Sequence, residues 1–184
     1  MSLFWIDSSR KIEVTYDDFF HQVILKGENN EYIKNENPYI VFLNLIRNCL
    51  SGKKSIVLDA DFSENELANL SISNSSYSEG RFLQPNLLKK INNFEGLLRF
   101  LKENSKKLEI DIYTSGTTGR PKKITQKFSN LIRAVKVRDN LGNSVWGFAY
   151  NPTHFAGLQV FFQALFNKNT IVYIFDKGFE QVYF

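Results

Sequence analysis

The stretch LEIDIYTSGTTGRPKKI, Leu108 to Ile124, decides the reading of this chain. Its first half alternates apolar and polar residues, the period of a β-strand with one solvated face, and puts Glu109 and Asp111 together on that face. Its second half has no periodicity. Thr114, Ser115, Gly116, Thr117, Thr118 and Gly119 are all small or hydroxylated, and Arg-Pro-Lys-Lys follows. Glycines at 116 and 119 let the backbone turn sharply and bring N–H groups close to a ligand. The hydroxyls can donate to phosphate oxygens without adding charge, and Lys122 adds a mobile cation suited to a polyphosphate. An ordinary turn needs none of this. The spacing is not that of a Walker A loop, because no Gly-Lys-Ser/Thr can be counted from Gly116 or Gly119.

Charge points the same way. Seven basic residues and no acid lie between Ile112 and Arg138, although the whole chain of 184 residues carries only +4. A local excess of this kind suits a local anion rather than a long polyanion. Nucleic acid is therefore not an expected partner.

Outward from the loop, strands and helices alternate. Thr15 caps a helix carrying Tyr16, Phe19, Phe20, Val23 and Ile24 at helical spacing. Asn37-Pro38 opens a second helix, closed by Gly52. SIVLD, Ser55 to Asp59, reads as a buried strand, and Ser63 with Glu66 forms a capping box. The polar stretch 71–85 reads as loop, and Phe94, Leu97, Leu98 and Leu101 mark an amphipathic helix. A short strand from Lys123 to Gln126, a helix capped by Ser129, the strand VWGFAY, a helix after Gly157 and the strand TIVYIF complete the pattern. Such alternation predicts an α/β fold, a largely parallel sheet with helices on both faces.

Composition excludes several classes. Seventeen Phe and eight Tyr against ten Gly and four Pro describe a globular chain, not a disordered one. No apolar run reaches the roughly 18 residues a membrane span needs, and MSLFWIDSSRK is not built like a signal peptide. The lone Cys49 sits in an apolar run and reads as a small buried hydrophobe. The expected compartment is the cytoplasm.

YTSGTTGRPKKI, with Phe128-Ser129-Asn130-Leu131 after it, resembles the phosphate-loop signature of the AMP-forming acyl-adenylate enzymes, which include acyl-CoA synthetases, luciferase-like ligases and adenylation domains of nonribosomal peptide synthetases. Three further segments are similar to elements of that family in the same order: Val14-Thr15-Tyr16 with Phe19, the run from Leu50 to Asp59, and Asn151 to Leu158. Two departures stand out. Asp111 occupies a usually apolar position, and Pro152-Thr153-His154 is one residue shorter than the family's Pro-to-His spacing.

The resemblance implies the first part of a large N-terminal adenylation domain, covering residues 1–184 incompletely, with the phosphate loop at 113–123. It implies ATP and Mg²⁺ as cofactors, a carboxylic acid substrate, and the thiol of CoA or a carrier protein as acceptor. Thr114, Ser115, Gly116, Thr117, Thr118, Gly119 and Lys122 would bind the ATP phosphates, with Thr117 or Thr118 near the metal. His154 and Gly157 would border the acyl pocket; a loop-end histidine satisfied by backbone, and a glycine that starts a helix or allows close packing, are the alternatives. The acidic Gly-Tyr-Gly-x-Thr-Glu element, the ribose-binding aspartate and the catalytic lysine of the family are not found in these 184 residues. Expected for the chain alone is therefore a fragment without activity, or a non-catalytic nucleotide- or partner-binding remnant. Either self-association or a large exposed apolar patch is expected around Val160–Phe166 and Ile171–Phe175, whose partners would lie in the missing portion.

Overall fold

The computed structural model describes residues 2–25, 30–70, 87, 90–114, 121–138 and 141–175. Helix termini follow local chemistry. Helix α1 (Tyr16–Ile24) starts at Thr15, whose hydroxyl accepts from the Asp18 N–H while the Asp18 carboxylate accepts from the Thr15 N–H. Helix α2 (Pro38–Ser51) has Asn37 as its cap and ends at Gly52, whose φ of 66° is in the left-handed region that glycine enters without strain. Helix α3 (Glu64–Asn69) has the Ser63–Glu66 capping box, and α4 (Phe94–Asn104) is capped by Asn93. Helix α5 (Phe128–Ile132) begins at Lys127, not Ser129. The Ser129 N–H donates instead to the Ser105 carbonyl, which ties the first turn of α5 to the end of α4. Helix α6 runs from Phe155 to Asn167 and contains Gly157.

The strands form two sheets where the sequence suggests one. The first has the order β2 (Ile12–Thr15), β1 (Leu3–Asp7), β8 (Thr170–Tyr173), β7 (Val145–Phe148); the second is β3 (Tyr32–Ile33), β4 (Ser55–Val57), β5 (Glu109–Thr114), β6 (Lys122–Lys127). Each is parallel except for one antiparallel pair at an edge, β1 with β2 and β5 with β6. The class is α/β with mixed, mostly parallel sheets flanked by helices.

Helices fill the space between the sheets. Phe42 of α2 stacks on Phe161 of α6 at 3.9 Å and meets Trp5 and Phe148 of the first sheet edge-on. The same continuous core includes Val57, Ile110 and Ile112 on the inner face of the second sheet. Helix α3 lies beyond that sheet, where Phe62 and Leu67 pack against Ile56, Leu58 and Tyr113. Cys49 is buried in the core with its thiol pushed up to about 12 by desolvation, which agrees with its reading as a hydrophobe.

Two expectations are corrected. The late apolar segments are largely covered by this chain itself: Phe161, Phe162, Leu165, Ile171 and Tyr173 are buried, because β8 inserts between β1 and β7 and α6 joins the central layer. Among the described residues of this third, the exposed large apolar ones are Ile124, Val137, Val145, Tyr150, Phe155 and Phe175. The second correction is Asp111, which is buried rather than solvated and is described with the site.

Candidate functional site

Strands β4 and β5 are parallel, so both deliver their following residues to one edge of the second sheet. In open α/β sheets that carboxyl edge is where ligands bind. Asp59 follows β4. Thr114 ends β5 directly opposite Lys122, the first residue of β6, so the base of this hairpin lies at the same edge.

A third segment arrives from the first sheet. After β7 the chain turns through Asn151 and Pro152 and enters α6. Asn151 Oδ1 accepts from the Thr153 N–H at 2.9 Å, a local turn made by an asparagine side chain. The Thr153 hydroxyl donates to the Asp59 carboxylate, and His154 Nε2 lies 3.1 Å from Asp59 Oδ2. This contact spans 95 residues and joins the carboxyl edge of the second sheet to the start of α6. Asp59 thereby lies at the positive end of the helix, where a carboxylate is favoured. The His154 side chain remains 48% exposed and can still meet a ligand.

Gly157, in the first turn of α6, faces the turn that precedes it. A Cβ there would run into the Asn151 carbonyl oxygen. This close approach of helix to loop is what holds Thr153 and His154 against Asp59.

Beneath the hairpin lies a polar cluster. Asp111 is only 1% exposed, yet Lys54 Nζ is 3.0 Å and Lys123 Nζ 3.7 Å from its carboxylate, and the Thr125 hydroxyl donates to it at 2.6 Å. Strand alternation alone reads Asp111 as solvated. Cations from β6 and from the residue before β4 cover it, and neither is local in sequence. Lys123 is thus committed to the outer face of the sheet, which places Lys122 on the opposite face by strand alternation. Burial raises the neighbouring Tyr113 phenol, and the Asp111 charge adds to the effect.

Of the predicted phosphate-binding residues, Thr114 and Lys122 are placed facing each other at the base of the hairpin. Ser115, Gly116, Thr117, Thr118 and Gly119 lie outside the described residues. His154 and Gly157 are brought together by one helix turn. The sequence reading missed Asp59 and Thr153 as site residues. An aspartate placed immediately after an apolar strand was the available signal for the first; nothing local marks the second.

No protein-family profile and no curated protein sequence matches the chain. Solved structures do. O-succinylbenzoate coenzyme A synthetase (MenE) from Bacillus subtilis, in complex with AMP, superposes with a TM-score of 0.64 at 17% identity, over 98% of this chain and 54% of that one. The N-terminal domain of FACL13 from Mycobacterium tuberculosis gives 0.62 at 13% identity, over 98% and 55%. ATP-bound MatB from Rhodopseudomonas palustris gives 0.62 at 11%, over 98% and 44%. The fold is that of the N-terminal domain of AMP-forming ligases, and the chain spans about half the length of the structures it matches.

Proposed function

We propose that this chain is the N-terminal part of an AMP-forming carboxylic acid ligase, which joins ATP and a carboxylate into an acyl adenylate with release of pyrophosphate and then passes the acyl group to the thiol of CoA or a carrier protein. One observation carries the reading. Three segments that resemble the ligase elements, distant in sequence, meet at one sheet edge: Asp59, the Thr114/Lys122 hairpin base, and Thr153–His154.

The donor set fits a polyphosphate. Lys122 stands at the hairpin base, while the nearby carboxylates are neutralised or engaged, Asp111 by Lys54 and Lys123 and Asp59 by Thr153 and His154. Among the described residues no group of three or more His, Cys, Asp or Glu could hold a metal ion. Mg²⁺ would come mainly on the phosphates, with the Thr117 or Thr118 hydroxyl beside it, and supplies charge that polarises the phosphoryl oxygens. The role of Lys122 is to hold the leaving pyrophosphate as negative charge accumulates on it. Loop N–H groups and hydroxyls orient the phosphates. Asp59 fixes the orientation of His154 at the acyl side, and Gly157 keeps that wall close.

The test is calorimetric titration of the 184-residue chain. Lys122→Ala is expected to weaken ATP and pyrophosphate binding more than AMP binding. Equal loss for all three, or none, would sink the phosphate-loop assignment. The chain alone is expected not to sustain carboxylate-dependent ATP–pyrophosphate exchange, since the lysine and acid that the resemblance implies lie outside it. Exchange that survives repurification would overturn that part.

A further inference from the structure

The basic stretch between Ile112 and Arg138 is divided by the fold. Lys122 and Lys123 serve the hairpin, but Val137 and Arg138 line a cleft of about 580 Å³ elsewhere. This cleft also takes Lys168 and Asn167 from the end of α6. Helix α6 has His154 at its start and the cleft at its end; thirteen residues at 1.5 Å each separate the two by about 20 Å. The cleft is therefore a second site, independent of the acid-ligase reading.

Its chemistry is cationic over an apolar floor. Arg99, Lys102, Arg138 and Lys168 line it, with Leu98 and Phe166 beneath. Among the described residues the acid in the lining is Glu95, already paired with Lys168. Lys102 Nζ lies 5.1 Å from the centre of the Phe166 ring. Among the described residues, neither the Arg99 nor the Arg138 guanidinium has a hydrogen bond or ion pair.

The site is also built. Residues 136–138 have no regular structure, yet side-chain amides of α6 hold them: Gln163 exchanges two hydrogen bonds with the Lys136 backbone, at 2.9 and 3.0 Å. Asn167, only 6% exposed, donates to the Lys136 carbonyl at 3.0 Å and accepts from the Arg138 N–H at 3.2 Å. A buried amide spent on orienting the backbone of Lys136 and Arg138 is more than a solvated basic face requires.

We infer that this cleft binds a small phosphorylated molecule with an apolar or aromatic moiety, its phosphate held by Arg99 and Arg138 and its apolar part on Leu98, Val137 and Phe166. Two guanidinium forks suit a phosphate's geometry, and the volume is that of a small-ligand site.

The probe is phenyl phosphate, titrated calorimetrically into the full chain. One equivalent is expected to bind, more tightly than inorganic phosphate, which lacks the ring. R99A/R138A is expected to weaken it by at least about tenfold, since each lost charged hydrogen bond is worth a factor of that order. K122A is expected to leave it unchanged. Without ligand, the double variant should melt no lower than the parent, because it removes like charges. If it does not fold, R99K/R138K is read instead: weaker binding supports the fork, and parental affinity overturns it. Unchanged affinity in R99A/R138A, equal affinity for phosphate and phenyl phosphate, or loss in K122A would each overturn the assignment, the last by returning binding to the hairpin.

Discussion

The two sheets have nearly the same plan, four strands with one antiparallel edge pair, and opposite chemistry. The first meets the central layer with rings: Trp5 stacks with Tyr173 at 5.9 Å and contacts Phe42 and Phe148. The second presents apolar residues inward but carries Asp111, Lys54, Lys123 and Thr125 on its outer face, with Thr114 and Lys122 paired at its carboxyl edge. Dispersion and burial hold the first. The second gives up part of that stabilisation to place charge. Within one fold, aromatic packing and buried charge are assigned to different sheets.

That division can be broken by measurement. The largest effect belongs to the aromatic layer. Phe42→Ala removes a fully buried ring that touches both the first sheet and α6, and a loss of about 3–5 kcal/mol in urea unfolding is expected. Next comes Asp111→Asn. The two lysines it releases are 35% and 53% exposed and rehydrate, so about 1–2 kcal/mol is expected, below the usual cost of breaking a buried pair. A cost for Asp111→Asn equal to that of Phe42→Ala would end the contrast. Tyr16→Phe sharpens it. The Tyr16 hydroxyl donates to the Asn169 carbonyl at 2.7 Å, and its loss is expected to cost about 1 kcal/mol by thermal or urea unfolding.

The smallest effect is an acid one, shared by both regions. Hydrogen bonds from the Thr15 hydroxyl and backbone hold Asp18 below its ordinary 3.8, and those from the Ser63 backbone and hydroxyl hold Glu66 below 4.5. Both are lowered in the folded state, so their contribution is complete above those ordinary values and is lost as pH falls through the folded ones. D18N/E66Q should shallow the stability decline below pH 4.5, measured as melting temperature against pH. An unchanged slope would show the capping carboxylates to be idle.

The comparison also explains what could be read in advance. Helix ends were legible because their chemistry is local: Thr15, Asn37-Pro38, Gly52 and the Ser63–Glu66 box act within four residues. The strands on either side of segment 115–120 were legible because alternation in one and a sharp change of composition before the other are also local. The division into two sheets was not. Strand β1 pairs with β8, with Trp5 opposite Ile171, and alternation along a chain carries no information about such partners. The short LFWID and IEVT strands were missed for the same reason, since their burial depends on that late arrival. Asp111 failed as a local reading because Lys54 and Lys123 come from other parts of the sheet. In the candidate site, His154 was visible and its partner Asp59 was not, since only the fold closes the 95 residues between them.

The pairing of Trp5 with Ile171 has a further consequence, in time rather than space. During synthesis the second sheet has all its strands once residue 127 has emerged, whereas β1 must wait for β8 at 170–173. At about 5–20 residues per second, the first strand spends roughly 10–30 s without its parallel neighbour. Its Phe4 and Trp5 are large apolar side chains during that interval, with the β2 hairpin, α1 and α2 but not the rest of their sheet to shield them. The nascent chain is then most open to aggregation and to chaperones, and a slow stretch of codons before residue 170 would lengthen that exposure.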